Sequence, residues 1–263
     1  TAKAGDVDAM AQLLDGGAAV DQTRGDGETP LWTASLAGSV DAAQLLLEKG
    51  AEVDRATEDG RTSLYIACEK GHVKVARLLL DNGAAVDRKV EKGKWKGATP
   101  LLVACYQGHI DAAQLCLDRG ADINLAADDG WTPLFAACRK GHVDAARLLL
   151  DRGAEVDRAE KNGAAPLHIA CEKGHVDVAR LLLERGAVLD HVSSALCEGD
   201  AVEAKYRGGR YIPGKVSRDC GAGKYANAGG RFQDRGSVDG HRTKTQQQGV
   251  LTAAPAQNSQ DME

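Results

Sequence analysis

Apolar and polar positions along the first 190 residues fall into a pattern that returns several times, and its clearest copy is Asp128–Glu160, DDGWTPLFAACRKGHVDAARLLLDRGAEVDRAE. Two apolar runs of helical length stand either side of a polar R-K-G-H turn. Thr29-Pro30, Thr99-Pro100 and Thr132-Pro133 each place a hydroxyl at an N-cap before a proline at the first helical position. A short helix is predicted from each, ending near the A-x-x-G-H turn. A second helix opens with Asp41, Asp111, Asp144 or Asp177, whose charge suits its positive N-terminal end. It carries Leu45-Leu46-Leu47 or the equivalent and stops at a glycine able to take the left-handed conformation. The loop that follows is predicted to project as a β-turn finger.

Glycine sets the period. Gly5, Gly38, Gly71, Gly108, Gly141 and Gly174 are separated by steps of 33, 33, 37, 33 and 33 residues. Gly17, Gly50, Gly83, Gly120, Gly153 and Gly186 repeat the same steps, and Gly27, Gly60, Gly97, Gly130 and Gly163 mark one turn in each of five loops. Three series thus absorb 17 of the 31 glycines, so the glycine excess marks turns and not phosphate loops. One unit cannot bury its leucines alone, so the core must arise by stacking neighbours.

With G-x-T-P-L-H-x-A-A-x-x-G-H, an L-L-L run and G-A-x-V-D/N recurring in phase, residues 1–190 resemble the ankyrin repeat family. The resemblance implies an all-α ankyrin-repeat solenoid of helix-turn-helix units with β-turn fingers. It also implies a partner protein on the concave side, met by finger tips and the exposed end of the first helix. Five units are complete; the first, starting at Thr1, enters midway through its first helix, as a fragment would.

Composition narrows the function. Lys plus Arg number 33 and Asp plus Glu 38, a formal charge of −5 that gives no support to a nucleic-acid binder. No apolar run approaches the ~18–20 residues of a membrane span. Seven cysteines without a C-x-x-C pair suit a reducing, intracellular setting, cytoplasmic or nuclear.

Apparent chemistry dissolves into the repeat. Cys68, Cys105, Cys138 and Cys171 each stand before a G-H histidine in a C-x-x-x-H series, which suggests zinc. They occupy the second small position of the first helix, where Ser35 stands one unit earlier. Stacked helices ~8–10 Å apart exceed the ~7 Å Cα limit of a disulfide, so these thiols are expected to stay unpaired without a metal. Trp32, Tyr65, Leu102, Phe135 and His168 share the pattern's T-P-L-H histidine position and are expected to pack beneath a neighbouring finger. Gly209–Lys215 matches G-x4-G-K, but Val216 stands where a P-loop needs Ser or Thr. No catalytic constellation and no cofactor site is expected.

The positions free to vary carry more. These include Arg61, Glu69-Lys70, Arg139-Lys140 and Glu172-Lys173. Only the third complete unit breaks the period, by four residues within Glu91–Lys96, EKGKWK, which puts Trp95 on a lengthened basic finger. Tyr106 in the same unit and Trp131 in the next are expected beside it, bordered by Arg139 and Lys140. Trp, Tyr and Arg dominate binding hot spots, so these five residues are the candidate partner-binding site. The expected partner is an acidic or aromatic-rich protein or peptide, and the chain is expected to be monomeric.

Beyond residue 190 the repeat stops, and the charge divides into −7 before and +2 after it, which sum to −5. Residues 199–225 read as two or three short strands and resemble the opening of a Tudor-like (SH3-type) barrel, with G-D-x-V-E-A-x-Y and Y-x-P-G-K-V. That resemblance implies an aromatic cage for methylated lysine or arginine, with Tyr206 and Tyr211 at matching aromatic positions. An incomplete β segment is expected over 191–229 and a disordered tail over 230–263. The reading is therefore a non-catalytic interaction scaffold. A chromatin-associated adaptor with a methyl-reading tail, or a regulatory fragment of a larger enzyme, are the alternatives.

Overall fold

The computed structural model describes residues 7–188 together with the backbone of four short strands between 201 and 234. Eleven helices occur among the described residues, and the second to eleventh form pairs. Helix α1 (Val7–Asp15) stands alone. The pairs are α2 (Pro30–Ala37) with α3 (Val40–Glu48), α4 (Ser63–Lys70) with α5 (Val73–Asp81), α6 (Pro100–Gln107) with α7 (Ile110–Asp118), α8 (Pro133–Lys140) with α9 (Val143–Asp151), and α10 (Pro166–Glu172) with α11 (Val176–Glu184).

The chain divides into two compact units. One comprises Thr1–Ala137 with Asp144–Ala154; the other comprises Cys138–Val143 with the chain from Glu155.

In the first unit the starts of the first helices are set by side-chain caps. The hydroxyls of Thr29, Thr62, Thr99 and Thr132 accept from the amides of Trp32, Tyr65, Leu102 and Phe135 at 3.1–3.2 Å. Each bond satisfies an amide that would otherwise lack a helical partner. The ends are set by glycine: Gly38, Gly71 and Gly108 are left-handed, with φ of 71°, 71° and 80°. Every described member of the three glycine series has positive φ, and Gly93 in the inserted stretch joins them.

First helices stack on first helices, α2 on α4 and α4 on α6, while second helices stack as α1, α3, α5 and α7. Between these layers Leu31, Leu46, Leu64, Leu79, Leu101, Leu134 and Leu149 are buried. So are Trp32, Tyr65, Leu102 and Phe135, the large side chains of the T-P-L-H position.

Polar bonds join successive repeats in a fixed order. Carboxylates of Asp21, Asp54 and Asp87 accept from the amides of Glu52, Ala85 and Asp122 in the next repeat. The rings of His72 and His109 donate through Nε2 to the carbonyls of Leu36 and Glu69 in the previous one, at 3.2 and 3.1 Å. The G-H pair explains its glycine: a Cβ on Gly38 or Gly71 would lie 2.7 Å from the Nδ1 of the following repeat's histidine.

The second unit uses the same devices with one change. His175 Nε2 bonds to the Arg139 carbonyl at 3.1 Å, and Asp157 accepts from the Val188 amide at 3.1 Å. Ala165 replaces the N-cap threonine of α10, with no side-chain cap, and buried Glu160 bonds to the loop amide of Ala164.

Four strands belong to this unit as well: β1 (Ala201–Lys205), β2 (Tyr211–Lys215), β3 (Lys224–Asn227) and β4 (Phe232–Asp234). They form an antiparallel sheet in chain order. β3 pairs with β2 only at Gly214 and Lys215, which keeps Pro213, lacking an amide hydrogen, out of the two-sided ladder. Tyr211 lies in β2, and so does the end of the G-x4-G-K match, which is strand and not phosphate loop. The sheet runs past residue 229 through β4, within the stretch expected to be disordered. Tyr206 and residues 235–263 lie outside the described residues.

Candidate aromatic recognition site

The four-residue insertion builds a finger held at both sides. Val90 and Gly97 close its base through amide-to-carbonyl bonds, Val90 to Ala98 at 3.0 Å and Gly97 to Val90 at 2.7 Å. The amides of Glu91 and Lys92 donate to the Asp59 carbonyl of the preceding finger, and the Lys96 carbonyl accepts from Asp128 of the following one. Lys96 also pairs with Asp128 at 3.0 Å. Lys92 and Lys94 are exposed on the same finger.

So fixed, the finger delivers Trp95 onto Tyr106. The two ring centroids are 4.7 Å apart at 77°, an edge-to-face contact. Trp131 lies 6.4 Å from each, perpendicular to Trp95 and within 24° of parallel to Tyr106. Phe135 extends the cluster at 5.5 Å from Trp131. Three sides of 4.7, 6.4 and 6.4 Å leave no gap that would admit a cation between ring faces, since each face holds a cation several Å from its centroid. The cluster is a packed platform with no cage. All three outer rings are half-buried, so part of each is exposed to solvent.

The sequence-predicted trio of Trp95, Tyr106 and Trp131 is thus brought together. Arg139 and Lys140 occupy the last turn of α8 and belong to the second unit. There Arg139 is half-buried and Lys140 exposed. The Lys173 ammonium holds the Glu172 carboxyl below its ordinary value, with His168 and Arg139 contributing.

Sequence reasoning missed Phe135 as a member, because its repeat position pointed inward. It also missed the use made of Arg61. The Arg61 guanidinium lies 5.9 Å from the Trp32 ring centre and pairs with Asp59 at 2.7 Å. Burial pushes the Asp59 carboxyl up, but the Thr57 hydroxyl and Arg61 outweigh it and hold the group below its ordinary value.

The thiols of Cys68, Cys105, Cys116, Cys138 and Cys171 are buried, and none of the five is in a disulfide. Among the described residues no group of three or more His, Cys, Asp or Glu side chains is arranged to hold a metal. No helix among them is long and apolar enough to cross a membrane.

Comparison with known proteins agrees with the repeat. The family model for ankyrin repeats (three copies) matches residues 1–90 and 101–193. A solved structure described as the human ASB11 ankyrin repeat domain is similar at 30% identity, with a TM-score of 0.67, covering 80% of this chain and 86% of that one. No curated protein sequence matches. Stacked helix pairs, glycine-ended helices, finger turns and the family match converge: the chain belongs to the ankyrin-repeat family, whose arrays are protein–protein interaction modules.

Proposed function

We propose that the chain is a non-catalytic intracellular scaffold that binds an acidic, aromatic-bearing peptide on the platform of Trp95, Tyr106 and Trp131. The observation that carries this reading is the half-buried triangle of rings, set up by the one insertion in the array. Rings that already brace one another lose little freedom on binding, which favours affinity. Lys92 and Lys94 beside them, on a chain of net charge −5, favour an acidic partner by speeding encounter.

Peptide selection from a random display library against the folded chain tests the proposal. Acidic sequences containing Trp, Phe or Tyr should be enriched. Trp131→Ala should weaken the selected peptides by ~2 kcal/mol or more, and Lys92→Glu with Lys94→Glu should slow their association and flatten its salt dependence. Enrichment of basic peptides, or binding indifferent to all three substitutions, would move the recognition surface elsewhere on the array.

A further inference from the structure

Four second helices carry a leucine at one shared core position: Leu46, Leu79, Leu149 and Leu182, all fully buried. In α7 that position is Cys116, equally buried. The exchange brings its sulfur 3.6 Å from the Sγ of Cys68 on α4, 48 residues earlier in the chain. Cys68 belongs to the first-helix cysteine series, in which neighbours are separated by a helix stack. Cys116 reaches it by a different route, from the second-helix layer. Two thiols in van der Waals contact on separate helices need only a small approach to bond covalently.

We infer that Cys68 and Cys116 form a specific oxidisable dithiol, a modification site at which a peroxide closes a disulfide between adjacent repeats. The chemistry balances with hydrogen peroxide as oxidant. One sulfur, as thiolate, attacks a peroxide oxygen; the O–O bond breaks, one water leaves, and a sulfenic acid remains. The second thiol attacks that sulfur, the S–S bond forms, and the hydroxyl departs with the second thiol's proton as another water. The two sulfurs together lose two electrons and the peroxide gains them.

Access sets the rate. Both thiols are fully buried, and contact with Cys116 together with burial pushes the Cys68 thiol up, which keeps it protonated. Reaction therefore waits on local opening of α4 from α7. Once closed, the bond ties two repeats around α6, the helix that carries Tyr106 of the aromatic platform.

The test treats the full chain with hydrogen peroxide, then blocks remaining thiols and maps peptides without reduction. The expected product has lost two hydrogens and contains a Cys68–Cys116 linked peptide as its main crosslink. Its thermal midpoint should rise by about 5 °C or more, and the rise should vanish on reduction. Two controls have templates inside the array: Cys116→Leu copies Leu46, and Cys68→Ser copies Ser35. Either should abolish both the crosslink and the shift. Two results would overturn the inference. One is that the folded chain stays reduced under peroxide that oxidises the urea-unfolded chain. The other is that crosslinks fall mainly on other cysteines, such as Cys197 or Cys220.

Discussion

A glycine in this chain answers to two separate demands, and they can be measured apart. Gly71 is left-handed at φ 71° and also lies under the ring of His109; Gly83 is left-handed at φ 86° with open space about it. Gly83→Ala should therefore cost only the backbone term, ~1–2 kcal/mol. Gly71→Ala should cost clearly more in urea unfolding, because the His109 ring must also be displaced. Equal losses would mean that the ring moves aside freely. Leu149 is fully buried, and Leu149→Ala should cost ~2–5 kcal/mol. Asp59 supplies a pH signature. Its carboxyl is held below its ordinary value of 3.8, so the stability it contributes is complete above that value and is lost as pH falls further. Asp59→Asn should thus lower the urea midpoint more at pH 6 than at pH 3; a constant gap would disprove the link.

Helices were the most legible elements because their ends are written in residue types with one physical use. Thr before the first turn and glycine after the last fixed both ends of α2, α4 and α6 to within a residue. Thr132→Ala should accordingly cost ~1 kcal/mol, whereas Ala165, already uncapped, offers nothing to remove. The finger was legible as a step of 37 in place of 33, and its partners Tyr106 and Trp131 followed from counting along neighbouring repeats. How tightly the rings pack could not be read, since ring orientation depends on the finger's backbone bonds to Asp59 and Asp128. Because of that packing, Trp95→Ala removes two ring contacts and should lower stability by about 1–3 kcal/mol, apart from any effect on binding. Cys116 was legible as a letter but not as a neighbour, because a series-based argument compares like positions and its contact joins unlike ones. Strand β4 escaped because residues beyond 229 were judged by composition, and three residues paired with β3 leave little trace there.

Across the array, protection should follow burial and not helix content. Helix α1 buries only Met10, leaves Leu13 57% exposed, and borders a cavity of about 360 Å³ lined by Leu14, Pro30 and Leu46 among others. Amides of residues 7–20 should exchange with deuterium faster than those of residues 99–118, where Leu101, Leu102, Val103 and Leu115 are buried. Matching rates would refute a gradient set by burial. Exposed ion pairs between successive second helices, Asp15 with Lys49, Asp81 with Arg119 and Asp118 with Arg152, contribute little of this gradient.

The aspartate and histidine bonds between repeats run in opposite senses, one reaching forward to an amide and the other back to a carbonyl. They read the array as a sentence reads its words: order matters, but any word of the right grammar can follow any other. Splicing should obey the same syntax. Excision of residues 39–71, one full period of 33, leaves every remaining joint with a giver and a receiver in phase. Such a shortened chain should still fold cooperatively, while a cut three residues shorter should not.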